Sequence, residues 1–222
     1  MAVRLSGTSI TFNDNSVQTS DTSDSGGLIN VTSFTASGTY TAPTGTTRVF
    51  VKCTGGGGGS AGYLESGGAS GYTEKMITGL HGGWTSAVTV GGGGGLVGYY
   101  AAAGVGGTSS FGGYCSATGG TGANNHWSHT GGHGGGATGG DLNISGGSGS
   151  GHANHYQHSA TGSGGGSYWG GAPARRHYGG EFIGPGAPGT GGAGGPTNGG
   201  HGPTGHGGQA GVGGIVVVYA FR

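Results

Sequence analysis

The chain has 222 residues, of which 66 are glycine, 7 are Lys or Arg and 7 are Asp or Glu, so its formal net charge is zero. Ordinary domains hold about 7% glycine and about 25% charged residues. A charged fraction of 6% excludes a highly charged disordered tail and the basic surface that a nucleic-acid partner needs. Hydrophobic residues make up 31%, too little for a conventional core of this length, so backbone hydrogen bonds have to supply much of the cohesion.

In chain order, residues 1–27 form a polar segment expected to serve attachment or oligomerisation. It holds a short alternating stretch, Ser9 to Phe12 and Val17 to Thr19, with Asp14-Asn15 as a turn signal and Ser20 to Gly27 as a linker. No run is apolar enough to span a bilayer, and Met1 to Ser6 lacks a secretory h-region, so release by lysis or within a particle is expected. Residues 28–222 form the second unit. Its strand candidates are Leu28 to Phe34, a short strand and turn within Ser37 to Pro43, Thr47 to Cys53, Tyr72 to Leu80, Thr85 to Val90, and the apolar run Ile215 to Phe221. The last is expected to pair with 47–53. No segment has helical periodicity. Cys53 and Cys115 show no metal spacing and read as reduced, buried thiols, with a late-forming disulfide as the alternative.

The glycines are concentrated after Thr54, and toward the C-terminus they keep a beat of three. Gly186, Gly189, Gly192 and Gly195 share one phase; Gly199, Gly202, Gly205, Gly208, Gly211 and Gly214 share the next. Three residues per turn is the period of the extended polyproline-II helix, which has no internal hydrogen bonds and needs neighbours to satisfy its backbone. Glycine at every third position lets those neighbours approach closely. The expected fold is therefore mainly β and irregular: short β-strands plus a packed bundle of polyglycine-II-like extended segments, essentially without α-helix.

Several stretches resemble the glycine-rich domain of bacteriophage tail fibre and receptor-recognition proteins. They are Phe34 to Pro43, Cys53-Thr54 followed by Gly55 to Gly59, Gly71 to Lys75, Ala87 to Gly91, Gly107 to Gly112, Cys115 to Gly120, and Gly213 to Tyr219. Ile10 to Thr19 is similar to a short sequence that recurs in phage fibres. The layout resembles the T-even-like phage tail-tip adhesins, in which glycine-rich motifs alternate with variable loops. The resemblance implies stacked glycine helices with receptor-binding loops at one end, a virion tail-fibre location, and other tail fibre or baseplate proteins as partners. A homotrimer is expected, against the alternative of a single copy capping a separate fibre. The receptor would be a lipopolysaccharide, a capsule or an outer-membrane protein, with no membrane insertion.

A glycine scaffold offers few functional side chains, so its interruptions carry the candidate site. They hold Tyr99 and Tyr100; Asn125, His126, Trp127 and His129; His155, Tyr156 and His158; Tyr168 and Trp169; and Arg175, Arg176 and Tyr178. Aromatic faces stack on sugars, and Asn, His and Arg hydrogen-bond hydroxyls, carboxylates or phosphates. The competing reading is that these rings cover the ends of a core poor in apolar residues. Trp84, in the strand-rich part, reads as packing.

No metal, cofactor or catalytic site is expected. His126, His129 and His133, or His152, His155 and His158, are closely spaced, but in loops that spacing says little. Asp141 and Glu181 are a conceivable carboxylate pair, with nothing that requires them to meet. Collagen is excluded by little proline and a phase break at Pro196-Thr197-Asn198. A purely structural fibre part remains an alternative. An ice-binding glycine helix does too, although it would favour a flat, regular Thr or Ala face.

Overall fold

A computed structural model describes residues 4–6, 9–11, 17–19, 27–61, 65–97, 101–124, 130–151, 162–175, 182–183, 186–194 and 208–222. Among them there is no α-helix. Strands β1 (Arg4–Ser6), β2 (Ser9–Thr11) and β3 (Val17–Thr19) form a small antiparallel sheet. The body opens with β4 (Leu28–Phe34), β5 (Gly38–Thr41) and β6 (Arg48–Thr54). Then come β7 (Tyr72–Thr78), β8 (Thr85–Thr89), β9 (Ser109–Phe111), β10 (Cys115–Ala117), β11 (Ala137–Thr138) and β12 (Leu142–Ile144). A short antiparallel pair, β13 (Ala174–Arg175) and β14 (Phe182–Ile183), precedes β15 (Ile215–Phe221).

Ten of these strands build two antiparallel sheets, in the orders β12-β7-β6-β15-β4 and β11-β10-β9-β8-β5. Every strand expected in residues 28–222 forms. The last pairs with β6 from Arg48↔Phe221 to Thr54↔Ile215, as its apolar pattern predicts. Strand β7 stops at Thr78 because Gly79 takes φ 75°, a left-handed conformation. The Leu80 N–H then turns to donate to the Thr47 carbonyl at 2.9 Å. Strands β9 to β12 were not anticipated, because Ser-Ser-Phe or Cys-Ser-Ala carries no strand pattern.

The core lies between the sheets. Val49, Val51 and Cys53 of β6 alternate with half-buried Arg48, Phe50 and Lys52, and Val216, Val218 and Ala220 of β15 point the same way. They meet Tyr40, Val88, Phe111, Cys115 and Ala117 from the second sheet. Trp84 packs against this cluster, edge-on to Tyr40 at 6.5 Å, so its expected packing role holds. Both cysteines are buried and unpaired. Burial pushes the Cys115 thiol up to about 11 and Cys53 higher still.

Beyond this sandwich the strands run on as extended glycine segments. Residues 55–61 continue β6, and residues 65–71 return to β7. In 55–61 each successive N–H points to a different neighbour. Gly55, Gly58 and Ala61 donate to Gly71, Gly68 and Glu65; Gly56 and Gly59 donate to Gly107 and Gly104; Gly57 and Ser60 donate to Val212 and Gln209. Its carbonyls accept from three further segments: Gly56 and Gly59 from Gly120 and Ala123, Gly57 and Ser60 from Gly94 and Val97, and Gly58 from Gly192. Six segments thus surround one, and donors repeat every third residue, as a three-residue turn requires. Segment 65–71 is surrounded likewise, donating to 147–150, 189–192 and 118–121 and accepting from 132–135, Gly165 and Gly58.

Burial follows the same period. In 55–61, 65–71 and 189–194 every described residue is buried; in 91–97, 101–107, 118–124 and 130–136 only Gly91 and Gly94, Ala103 and Gly106, Gly120 and Ala123, and Gly132 and Gly135 are. Ser60, Ala61, Ser66, Ala69 and Ser70 are accommodated inside, but at other inner positions only glycine fits. A Cβ on Gly57 would overlap the Thr190 carbonyl, on Gly58 that of Thr121, and on Gly67 that of Gly58, all far inside van der Waals distance. Fixing a residue costs about 1–2 kcal/mol and a hydrogen bond returns about 1 kcal/mol net. The bundle is accordingly anchored where its segments grow out of the sandwich strands.

Candidate functional site

The bundle has two ends, one at the sheets and one remote from them. At the remote end the Ala61 N–H donates to the Glu65 carbonyl at 3.2 Å, Val97 to Ser60 at 3.3 Å, and Ala103 to Ala123 at 2.9 Å. Nearby the Asn124 side-chain amide donates to Thr130 Oγ1 at 2.9 Å. Ser150 donates to Ser163 at 3.0 Å and Gln209 to Ala193 at 3.0 Å. Ala61, Ala103 and Ala123 pack together there with Val97 in a small apolar plug. The chain leaves this end after Ala61, Val97, Asn124, Gly151 and Gly194, and re-enters it at Glu65, Ala101, Thr130, Gly162 and Gly208.

Most of the expected site residues fall in these intervals. Tyr99, Tyr100, Asn125, His126, Trp127, His129, His155, Tyr156 and His158 lie outside the described residues, as do Arg176 and Tyr178. Arg175 is the end of β13, paired with Phe182. The glycine beat from Gly195 to Gly205 is also outside the described residues.

Tyr168 and Trp169 are described, and they lie at the other end. Segment 162–166 runs back toward the sheets, and the turn 167–170 rests on the sheet containing β6 and β7. The Tyr168 ring stacks on Tyr72 at 3.6 Å and 6°, and Trp169 stands edge-on to Tyr72 at 6.0 Å. The indole N–H of Trp169 donates to Thr54 Oγ1 at 2.6 Å. These two rings therefore pack at the sheets, on the face of β6 and β7 turned away from the sandwich core, with Trp169 half-buried and Tyr168 46% exposed.

Four residues that the sequence did not single out complete this cluster. Lys52 Nζ lies 5.7 Å from the Tyr168 ring, 5.9 Å from Trp169, 5.8 Å from Phe50 and 6.0 Å from Tyr219. The same ammonium is 3.6 Å from Glu74, whose carboxylate also accepts from the Tyr72 hydroxyl at 2.5 Å. Burial, then that hydrogen bond, raises the Tyr72 pKa. The only sequence signal was Phe50 and Lys52 sharing a strand face, with Tyr219 on a strand expected to pair beside them.

Asp141 is held by Lys75 at 2.6 Å and by the Met76 N–H at 2.8 Å. Glu181, its conceivable catalytic partner, lies outside the described residues. Among the described residues no three His, Cys, Asp or Glu side chains gather as metal ligands, and no helix is long and apolar enough to cross a membrane. No protein-family model matches the chain, and no curated protein matches it.

Proposed function

We propose that this chain is a bacteriophage tail fibre adhesin whose glycine bundle presents host-binding residues at its remote end. The carrying observation is that the chain repeatedly leaves and re-enters that end, and that the intervals between hold most of its loop aromatics and histidines. A bundle whose every inner residue is hydrogen-bonded is a rigid mount, and rigid scaffolds place binding groups on their connections. Trp127 and Tyr156, each beside Asn and His, are the anchors of this reading; Tyr168 and Trp169 are not. The receptor is a glycan or an outer-membrane protein of the host envelope, and residues 1–27 join the chain to the fibre. The reading includes no enzymatic step and no cofactor.

The test is adsorption of the purified chain to a panel of bacterial strains, repeated after stripping surface glycan or digesting surface protein. Saturable binding to some strains, abolished by one treatment, supports the adhesin. Absence of binding to all strains contradicts it and leaves a structural fibre part.

A further inference from the structure

The chain enters β9 from bundle segment 101–107 and leaves β10 into 118–124, so the turn 112–114 lies at the pole of the sandwich opposite the bundle. Segment 130–136 runs into β11, which brings Gly139 to the same pole. Between the two turns is a cleft of about 140 Å³, walled by Gly112, Gly113, Tyr114, Ser116, Thr138 and Gly139. It has room for several waters but is smaller than the roughly 300 Å³ of a drug-sized site. A single small ring is the ligand that suits it.

The Tyr114 ring is 41% exposed, yet it is held in place. Its edge contact with Trp84, at 5.9 Å and 66°, ties it to the core, and its N–H donates to the Phe111 carbonyl at 3.1 Å. Glycine keeps the ring bare: a Cβ on Gly112 would touch it at 3.4 Å, and one on Gly113 would meet nothing within 4 Å. Ser116 Oγ and Thr138 Oγ1 lie 3.1 Å apart on paired residues. One hydrogen bond between them leaves one hydroxyl proton and several lone pairs unused. The N–H groups of Gly113 and Gly139 have no acceptor among the described residues. No Lys, Arg, His, Asp or Glu lines the cleft.

We propose that this cleft binds one pyranose ring of a sugar. An ionic ligand would find no opposite charge on the walls, and a wholly apolar one would strand the hydroxyls and free amides. A pyranose has a C–H face to lie on Tyr114 and a rim of hydroxyls to exchange hydrogen bonds with Ser116, Thr138 and the two amides. So small a cleft buries little of its ligand, and its Kd is on the order of 1 mM. The inference does not rest on the adhesin reading. The cleft lies at the pole opposite the loops of that reading, and it is read with soluble sugars and not by host adsorption.

Ligand-observed saturation-transfer NMR on the full chain tests it, with a panel of hexopyranoses and their methyl glycosides as probes. At least one sugar should give a saturable signal. Tyr114→Leu keeps bulk but removes the flat ring, and should weaken binding at least about tenfold. Thr138→Val removes one hydroxyl from an exposed position and should weaken it about fivefold; it carries the reading alone should Tyr114→Leu lose its native spectrum. Trp127→Ala should bind the same sugar unchanged. A signal kept by the methyl glycoside assigns the ligand to the terminal residue of a glycan, and one confined to the reducing sugar assigns it to a free sugar; either supports the site. No signal from any sugar, an equal signal from glycerol or cyclohexanol, or a sugar signal untouched by both cleft variants would overturn the proposal.

Discussion

The Trp169 indole N–H and the Thr54 hydroxyl, 115 residues apart in sequence, meet at 2.6 Å where β6 gives way to the bundle. That bond pins the turn 167–170 over the sheet and holds Tyr168 flat on Tyr72, which is 1% exposed. Truncating Trp169 to Ala removes a large half-buried ring and should lower stability by about 2–4 kcal/mol. Thr54→Val leaves the indole donor without its partner and should cost about 1 kcal/mol. Chemical unfolding of both variants checks this. Unchanged midpoints would mean the turn is not part of the fold's support.

Glycines that look alike in sequence should differ sharply in tolerance. A Cβ on Gly58 runs into the Thr121 carbonyl, while one on Gly92 meets nothing within 4 Å. Gly58→Ala should therefore destabilise by more than about 4 kcal/mol, well beyond the typical point mutant. Gly92→Ala should be neutral, or stabilising by about 0.5 kcal/mol through the unfolded state. Thermal melts of the pair decide it; equal effects would contradict the packing described for 55–61.

This contrast also marks what the sequence made legible. The β-branched runs at 28–34, 47–53 and 215–221 announced their strands and the pairing of the last two, but not that of 28–34 with 215–221, and the beat of three announced the bundle. The sequence did not tell that 55–61 and 65–71 are the surrounded segments, because every glycine run reads alike until its neighbours are known. Strands β9 to β12, built from residues such as Ser110, Cys115 and Ala137, form because the bundle brings them together and not from propensity. Tyr168 and Trp169 were grouped with the loop aromatics because all interruptions look equivalent. The alternation of outgoing and returning segments was the available signal: 162–166 is a returning one, so the turn after it must lie at the sheets.

The thiols should be silent. Cys53 and Cys115 are buried between the sheets, and burial raises both above the usual thiol range. Only the thiolate reacts with disulfide reagents, so at pH 8 neither cysteine should react in the native protein and both should react in denaturant. Rapid native labelling would contradict the sandwich core.

The Lys75–Asp141 pair gives a pH signature. The Lys75 ammonium, and then the Met76 N–H, hold the Asp141 carboxyl below its ordinary value. A depressed folded-state pKa stabilises the fold above the ordinary value and loses that contribution as pH falls through the folded one. Asp141→Asn should therefore melt slightly below wild type at neutral pH, with the gap closing in acid below pH 3.8, the ordinary aspartate value. Asp141 is exposed and Lys75 partly so, and solvent screening keeps the gap small. A gap that widens in acid would contradict the assignment.

The central claim is that binding resides at the remote end of the bundle while the aromatic cluster at the sheets supports the fold. Its most direct test is host-cell adsorption measured beside thermal unfolding for Trp127→Ala, Tyr156→Ala and Trp169→Ala. The account predicts that the first two lose adsorption at least about tenfold, the scale of a lost anchor residue, with melting temperatures unchanged. Trp169→Ala should melt lower yet adsorb normally while folded. Full adsorption by both Trp127→Ala and Tyr156→Ala, or loss confined to folded Trp169→Ala, would place the binding surface at the sheets and contradict it.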